Sequence, residues 1–87
     1  MKVSVWDTYV KKADGKVMHF DILVPSSLNN EQSVFNFGND YLKNKSLKTN
    51  QLTSNECHLC HVEQATEEMI LSIEKKGYFI IEMENCG

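Results

Sequence analysis

An α+β fold, built as a small and largely antiparallel sheet with two helices on one face, is what three features of this 87-residue chain predict. Two alternating runs rich in β-branched and aromatic residues, Lys2 to Val10 and Lys16 to Val24, flank an Asp14-Gly15 turn. Two later segments carry helical spacing and capping residues. A closing apolar run, Tyr78 to Met83, supplies a further strand. The order is therefore β-hairpin, helix, a short strand near Gln51 to Thr53, helix and C-terminal strand.

With residues 12 to 15 as the hairpin loop, Val10 faces Val17 and Thr8 faces His19. The two-residue period then puts Val3, Val5, Asp7 and Tyr9 with Met18, Phe20, Ile22 and Val24 on one face, the more apolar one, which the helices are expected to cover. Ser4, Trp6, Thr8, Val10, Val17, His19, Asp21 and Leu23 take the other. Pro25 ends the second strand, because it has no N–H to give a ladder. Asn29 and Gln32 form a capping-box pattern that opens a helix over about residues 30 to 44, with Val34, Phe37, Tyr41 and Leu42 at helical spacing. Gly38 within it costs about 1 kcal/mol relative to alanine, which points either to close packing or to nothing more than a weak helix. Residues 44 to 55 are polar and read as a loop. Thr66 caps the second helix, Glu67 and Glu68 complement its positive end, Lys75 and Lys76 its negative end, and Gly77 stops it. "YFIIEM" is apolar on both sides, the pattern of a central strand.

A chain of this length is read as one domain, residues 1–87, that buries about 60 to 65% of its unfolded surface. Hydrophobic content of 41% with 24% charged residues suits a soluble globule, and no apolar run nears the roughly 20 residues of a bilayer crossing. A net charge of −3, with Lys43, Lys45 and Lys48 scattered, gives no phosphate-binding stripe and argues against nucleic acid. The first residues lack the apolar centre of a secretion signal, so the expected address is the cytoplasm, where three cysteines stay thiols or bind metal.

Read together, "VWDTYVKKADGKVMHFDILV", "ECHLCH" and "GYFIIEMENC" resemble the bacterial domain-of-unknown-function (DUF) family number two thousand and twenty-four. The likeness runs from Val3 to Cys86 and is least distinctive over Ser26 to Thr49. Its specific signals are Asp7-Thr8-Tyr9, Met18-His19-Phe20-Asp21, Glu56-Cys57-x-x-Cys60-His61 and Met83-Glu84-x-Cys86. The resemblance implies a compact α/β domain and lends no activity.

The residues densest in chemistry are Asn55 to Glu63, "NECHLCHVE". Cys57 and Cys60 have the spacing by which one turn offers two thiolates to a tetrahedral ion, and the rest of a zinc site would come from His61 or His58, from Cys86, or from His19, with His61 and Cys86 the set favoured. The same residues are also read as free thiols beside a turn. A redox pair is disfavoured by its position before the capped helix, and covalent haem by the lack of an export signal. On the exposed sheet face, Trp6, Thr8, His19 and Asp21 fall together and are compatible with acid–base chemistry, yet no nucleophile motif accompanies them. Trp6, Leu23 and Ile80 would form an apolar patch there, which marks a contact surface. Asp7 points toward the apolar face, where it is expected to accept backbone N–H bonds at the sheet margin. The reading these residues favour is a non-catalytic binding module that self-associates or docks a protein partner through that face. A zinc protein using Cys57, Cys60, His61 and Cys86 is the alternative, and a thiol-redox or acid–base enzyme the third.

Overall fold

The computed structural model describes residues 1–47 and 51–87, so Lys48 and part of the polar loop after residue 44 lie outside the described residues. Its elements are β1 (Lys2–Lys11), β2 (Val17–Pro25), α1 (Glu31–Asn44), β3 (Cys57–Gln64), α2 (Glu67–Lys76) and β4 (Phe79–Glu84). They form an α+β fold around one open antiparallel sheet of order β3-β1-β2-β4. No helix among the described residues is long and apolar enough to cross a membrane.

The hairpin forms where expected, in a register one residue away from the expected one. Its loop spans Lys12 to Lys16: Lys12 N–H donates to the Lys16 carbonyl at 2.8 Å, and Lys16 N–H to Asp14 Oδ1 at 2.9 Å. Gly15 takes φ +86°, which a side chain rarely tolerates. Thr8 consequently faces Phe20, Val10 faces Met18, and Asp7 faces Asp21. A one-residue slip exchanges every side chain of one strand between faces. Val3, Val5, Asp7 and Tyr9 therefore share a face with Leu23, Asp21 and His19, and Trp6, Thr8 and Val10 share the other with Met18, Phe20, Ile22 and Val24.

This pairing divides the apolar residues between two cores, and the two helices lie on opposite faces instead of on one. Val34, Phe35, Tyr41 and Leu42 of α1 bury Val10, Met18, Phe20, Ile22 and Val24, with Leu52, Cys57 and Tyr78 completing that cluster. Met69 and Ile73 of α2 cover Val3, Val5 and Leu23, with Phe79 and Ile81 packed beside them. Since each face has its own roof, β4 reads apolar on both sides while standing at the sheet edge. Tyr41 Oη donates to Glu82 of β4, and Lys45 Nζ lies 2.6 Å from the same carboxylate, tying the end of α1 to that edge.

Helix α1 begins one residue later than the capping pattern suggested: Asn30 is the cap and its side chain accepts from Ser33 N–H at 3.3 Å. Helix α2 has the caps expected, with Thr66 Oγ1 accepting from Met69 N–H at 3.2 Å and Gly77 at φ +93°. Gln51 to Thr53 form no strand, and Leu52 is buried against α1 instead. The segment read as a Cys/His turn is strand β3, which pairs with β1 and leaves its other edge open.

Gly38 lets α1 approach the sheet. A Cβ there would overlap Leu52 and stand 2.8 Å from Ile22 Cδ1, and both side chains are buried. Gly38→Ala is therefore expected to destabilise the protein by about 1–3 kcal/mol despite its higher helix propensity. Urea unfolding checks this, and an unchanged or raised midpoint would show that α1 is not held this closely.

Candidate functional site

Helix α2 has ten residues, about 15 Å of length, and roofs only part of its sheet face. Beyond Val5 and Leu23 the same face continues along β1 as Asp7 and Tyr9, and along β2 as Asp21 and His19. Asp7 and Asp21 are direct cross-strand partners, and His19 lies one period further along β2. The Tyr9 ring stacks on the His19 imidazole, centroids 4.2 Å apart and planes 12° from parallel, which fixes the ring over the sheet.

His19 Nε2 stands 3.6 Å from Asp7 Oδ1 and 3.6 Å from Asp21 Oδ1. These separations exceed a normal N–H···O bond of about 2.7–3.2 Å. His19 Nε2 and Asp21 Oδ1 are both buried and have no hydrogen-bond partner among the described residues. One donor atom from each of Asp7, His19 and Asp21 falls within 4.8 Å of the others. The side chains are 32%, 19% and 14% exposed, in that order, so the cluster is partly sheltered from solvent.

Two carboxyls facing one another cannot both ionise freely. Burial, followed by the hydrogen bond and repulsion from Asp7, raises Asp21 from 3.8 to about 6. Asp7 is held below its ordinary value, first by the hydrogen bond with Asp21 and then by contacts with Cys60 and His19. The pair thus carries a single proton at mildly acidic pH, and two negative charges at neutral pH.

Strand β3 flanks this cluster: His58 is the direct cross-strand partner of Asp7, and a bulge lies beside that pair. Val5 pairs with His61 and Trp6 with Leu59, so Cys60 is the extra residue. Desolvation, followed by hydrogen bonding and charge from Asp7 and the charge of Asp21, pushes its thiol pKa up. His61 Nδ1 lies 3.1 Å from Cys60 Sγ, and its Nε2 3.3 Å from Glu63 Oε1.

The residues picked out in the sequence are regrouped by this register. His19 and Asp21 stay together, while Trp6, Thr8 and Ile80 lie on the α1 side of the sheet. Leu23 is fully buried beneath α2, so Trp6, Leu23 and Ile80 form no common exposed patch. Asp7 does not sit at a margin accepting backbone N–H groups; it faces Asp21 and His19. The four residues Cys57, Cys60, His61 and Cys86 do not converge. Cys57 is buried on the α1 side, accepting from Thr8 Oγ1 at 3.3 Å, whereas Cys60 is exposed beside Asp7 on the other. Cys86 follows β4 at the far edge, its Sγ 3.3 Å from the His19 carbonyl. All three are free thiols.

A family model described as "Domain of unknown function (DUF2024)" matches residues 1–83. Among solved structures, the NMR structure of protein NE1680 from Nitrosomonas europaea is similar over 100% of both chains, at 38% identity and a TM-score of 0.82. Comparison with curated proteins found no match.

Because the fold raises the Asp21 pKa above its ordinary value, folding favours the protonated form. The stability this group contributes is full below pH ~4 and is lost as pH rises through about 6. Asp21→Asn keeps a hydrogen-bond donor for Asp7 and removes the second charge. It is expected to raise the stability of the protein at pH 7.5 by about 1 kcal/mol after solvent screening, with the gain fading below pH 4.5. Thermal unfolding across that range checks it; a loss of stability at pH 7.5 would contradict the charge assignment.

Proposed function

The chain belongs to the family described as "Domain of unknown function (DUF2024)"; this membership supplies a fold and leaves the chemistry to the site, and we propose that the protein is a small binding module holding a divalent transition-metal ion on Asp7, His19 and Asp21. One observation carries the reading. His19 Nε2 and Asp21 Oδ1 are buried without hydrogen-bond partners among the described residues, and one donor atom from each of Asp7, His19 and Asp21 lies within 4.8 Å of the others. Leaving buried polar atoms unpaired costs about 1–3 kcal/mol each, a cost that a bound ion removes.

The spacing fits such an ion. Zinc holds carboxylate oxygen and imidazole nitrogen at about 2.0–2.2 Å, which puts neighbouring donor atoms about 3–3.5 Å apart. Separations of 3.6 Å need only a small inward adjustment of the side chains. The donor set also selects among ions. Calcium and magnesium prefer all-oxygen shells, whereas an imidazole with two carboxylates suits zinc, cobalt, iron or manganese. The ion's charge would further relieve the repulsion between Asp7 and Asp21. Three free thiols are in keeping with a reducing compartment, and the cytoplasm is the address we propose.

A second reading rests on the proton shared by the two carboxyls: a group titrating near 6 beside a histidine suits general acid–base chemistry on a small ligand at the same three side chains. Metal titration separates the two. Under the first reading, zinc, cobalt or manganese added to metal-free protein raises the unfolding temperature by several degrees at a hundredfold excess over Kd. His19→Ala and Asp7→Asn are expected to abolish that rise. No stabilisation by any of the three ions, or an equal rise in both variants, would remove the metal reading and leave the acid–base one.

A further inference from the structure

We propose that the protein self-associates by pairing the β3 edges of two copies, antiparallel about a two-fold axis between Cys60 and His61, so that two four-stranded sheets join into one. The inference is independent of the metal reading and concerns the edge of the sheet.

The two edges differ. Strand β4 has six residues, carries Glu82 and Glu84, and is tied to the end of α1 through Tyr41 and Lys45. Short length and charge keep an edge from pairing with another chain. Strand β3 has eight residues, neither lysine nor proline, and Glu63 as its one carboxylate. Its Leu59 and Val62 side chains are 55% and 51% exposed. An unpaired row of backbone groups beside uncovered apolar side chains is the combination that strand addition uses.

The bulge makes this edge complementary to itself. Cys57, Leu59, Val62 and Gln64 lie opposite Thr8, Trp6, Ser4 and Lys2, on the α1 side, whereas His58 and Glu63 lie opposite Asp7 and Val3, on the α2 side. In a regular strand, residues three, five or seven apart point to opposite faces. The extra residue Cys60 removes that conflict, and the faces then read the same from either end of β3. Rotation about the Cys60–His61 midpoint sets Leu59 against Val62 of the second copy, His58 against Glu63 and Cys57 against Gln64, each pair occurring twice. Apolar meets apolar, and a basic ring meets a carboxylate. The backbone agrees. Tyr9 N–H donates to the Glu56 carbonyl at 3.0 Å, and Ala65 N–H to the Met1 carbonyl at 2.8 Å. Counting inward from these two residues, the alternation of an antiparallel ladder turns the N–H and C=O groups of His58 and Glu63 toward β1 and those of Leu59, Val62 and Gln64 outward. The Cys57 N–H is already bonded to the Thr53 carbonyl at 3.1 Å, which leaves its carbonyl to accept from Gln64. Outward-facing residues therefore meet outward-facing residues across the axis.

Sedimentation equilibrium of the full, reduced chain from about 10 μM to about 1 mM tests this, together with disulfide trapping. The expected result is a reversible monomer–dimer equilibrium. Val62→Lys charges a position that is already exposed and should weaken association about 10-fold or more, with native circular dichroism. In a Cys60→Ser, Cys86→Ser background, a mixture of Leu59→Cys and Val62→Cys proteins should cross-link on mild oxidation, because directly opposed hydrogen-bonded residues stand about 5.5 Å apart, within a disulfide's reach. Neither protein alone should do so, since its two new cysteines would stand about 10 Å apart along the strands. A monomer at every concentration would overturn the proposal. So would a dimer that Val62→Lys leaves unchanged, or one that Leu59→Cys alone cross-links as readily as the mixture, because either would put the contact elsewhere.

Discussion

The register of the β1–β2 hairpin is the constraint on which the rest of the molecule depends. It is set by a five-residue loop in which Gly15 adopts a left-handed conformation and Asp14 accepts from Lys16 N–H. Shifting the pairing by one residue would put Asp7 opposite a neighbour of Asp21 that points the other way. The apolar residues enforce the same pairing independently. Leu23 must lie with Val3 and Val5 beneath α2, and Phe20, Ile22 and Val24 beneath α1. Turn chemistry and burial therefore agree on one register, and that agreement places two carboxyls face to face.

The consequence for function is local. Two helices can roof a four-stranded sheet on both sides and still leave one stretch uncovered, because α2 is too short to reach past Val5 and Leu23. In that stretch lie a carboxyl pair with opposed pKa shifts and an imidazole stacked on Tyr9, with a bulge in the adjoining strand. Each feature is unfavourable for stability alone: repulsion between Asp7 and Asp21, orphaned buried atoms and an irregular ladder. Their coincidence at a single point is a local cost that packing elsewhere offsets, and it is the ground for the binding role proposed above.

Much of this was legible in the sequence. The α+β class, both hairpin strands, both helices and the Thr66 and Gly77 caps follow from periodicity and capping chemistry. The membership of the family follows from the residues that resemble it. His19 and Asp21 were identifiable as a pair because two residues along one strand always share a face. Asp7 was not joined to them, since a four-residue and a five-residue hairpin loop are equally compatible with "KKADGK", and the choice moves Asp7 to the other partner set. Strand β3 was hidden for a different reason. It stands at an edge with all but Cys57 exposed, so burial imposes no alternation on "CHLCHVEQ". Its closely spaced cysteines suggested a turn, yet an extended strand sends Cys57 and Cys60 to opposite faces. The placement of α2 was also out of reach, because an apolar helix stripe does not state which face of a sheet it covers.

The most direct test of the central claim is an NMR titration of the aspartate side-chain carboxyls in metal-free protein. The account predicts that Asp21 loses its proton near 6 while Asp7 does so below its ordinary range, and that each signal shows a second inflection at its partner's midpoint. Two independent curves, both centred near 3.8, would show that the carboxyls do not face one another, and the hairpin register described here would be wrong.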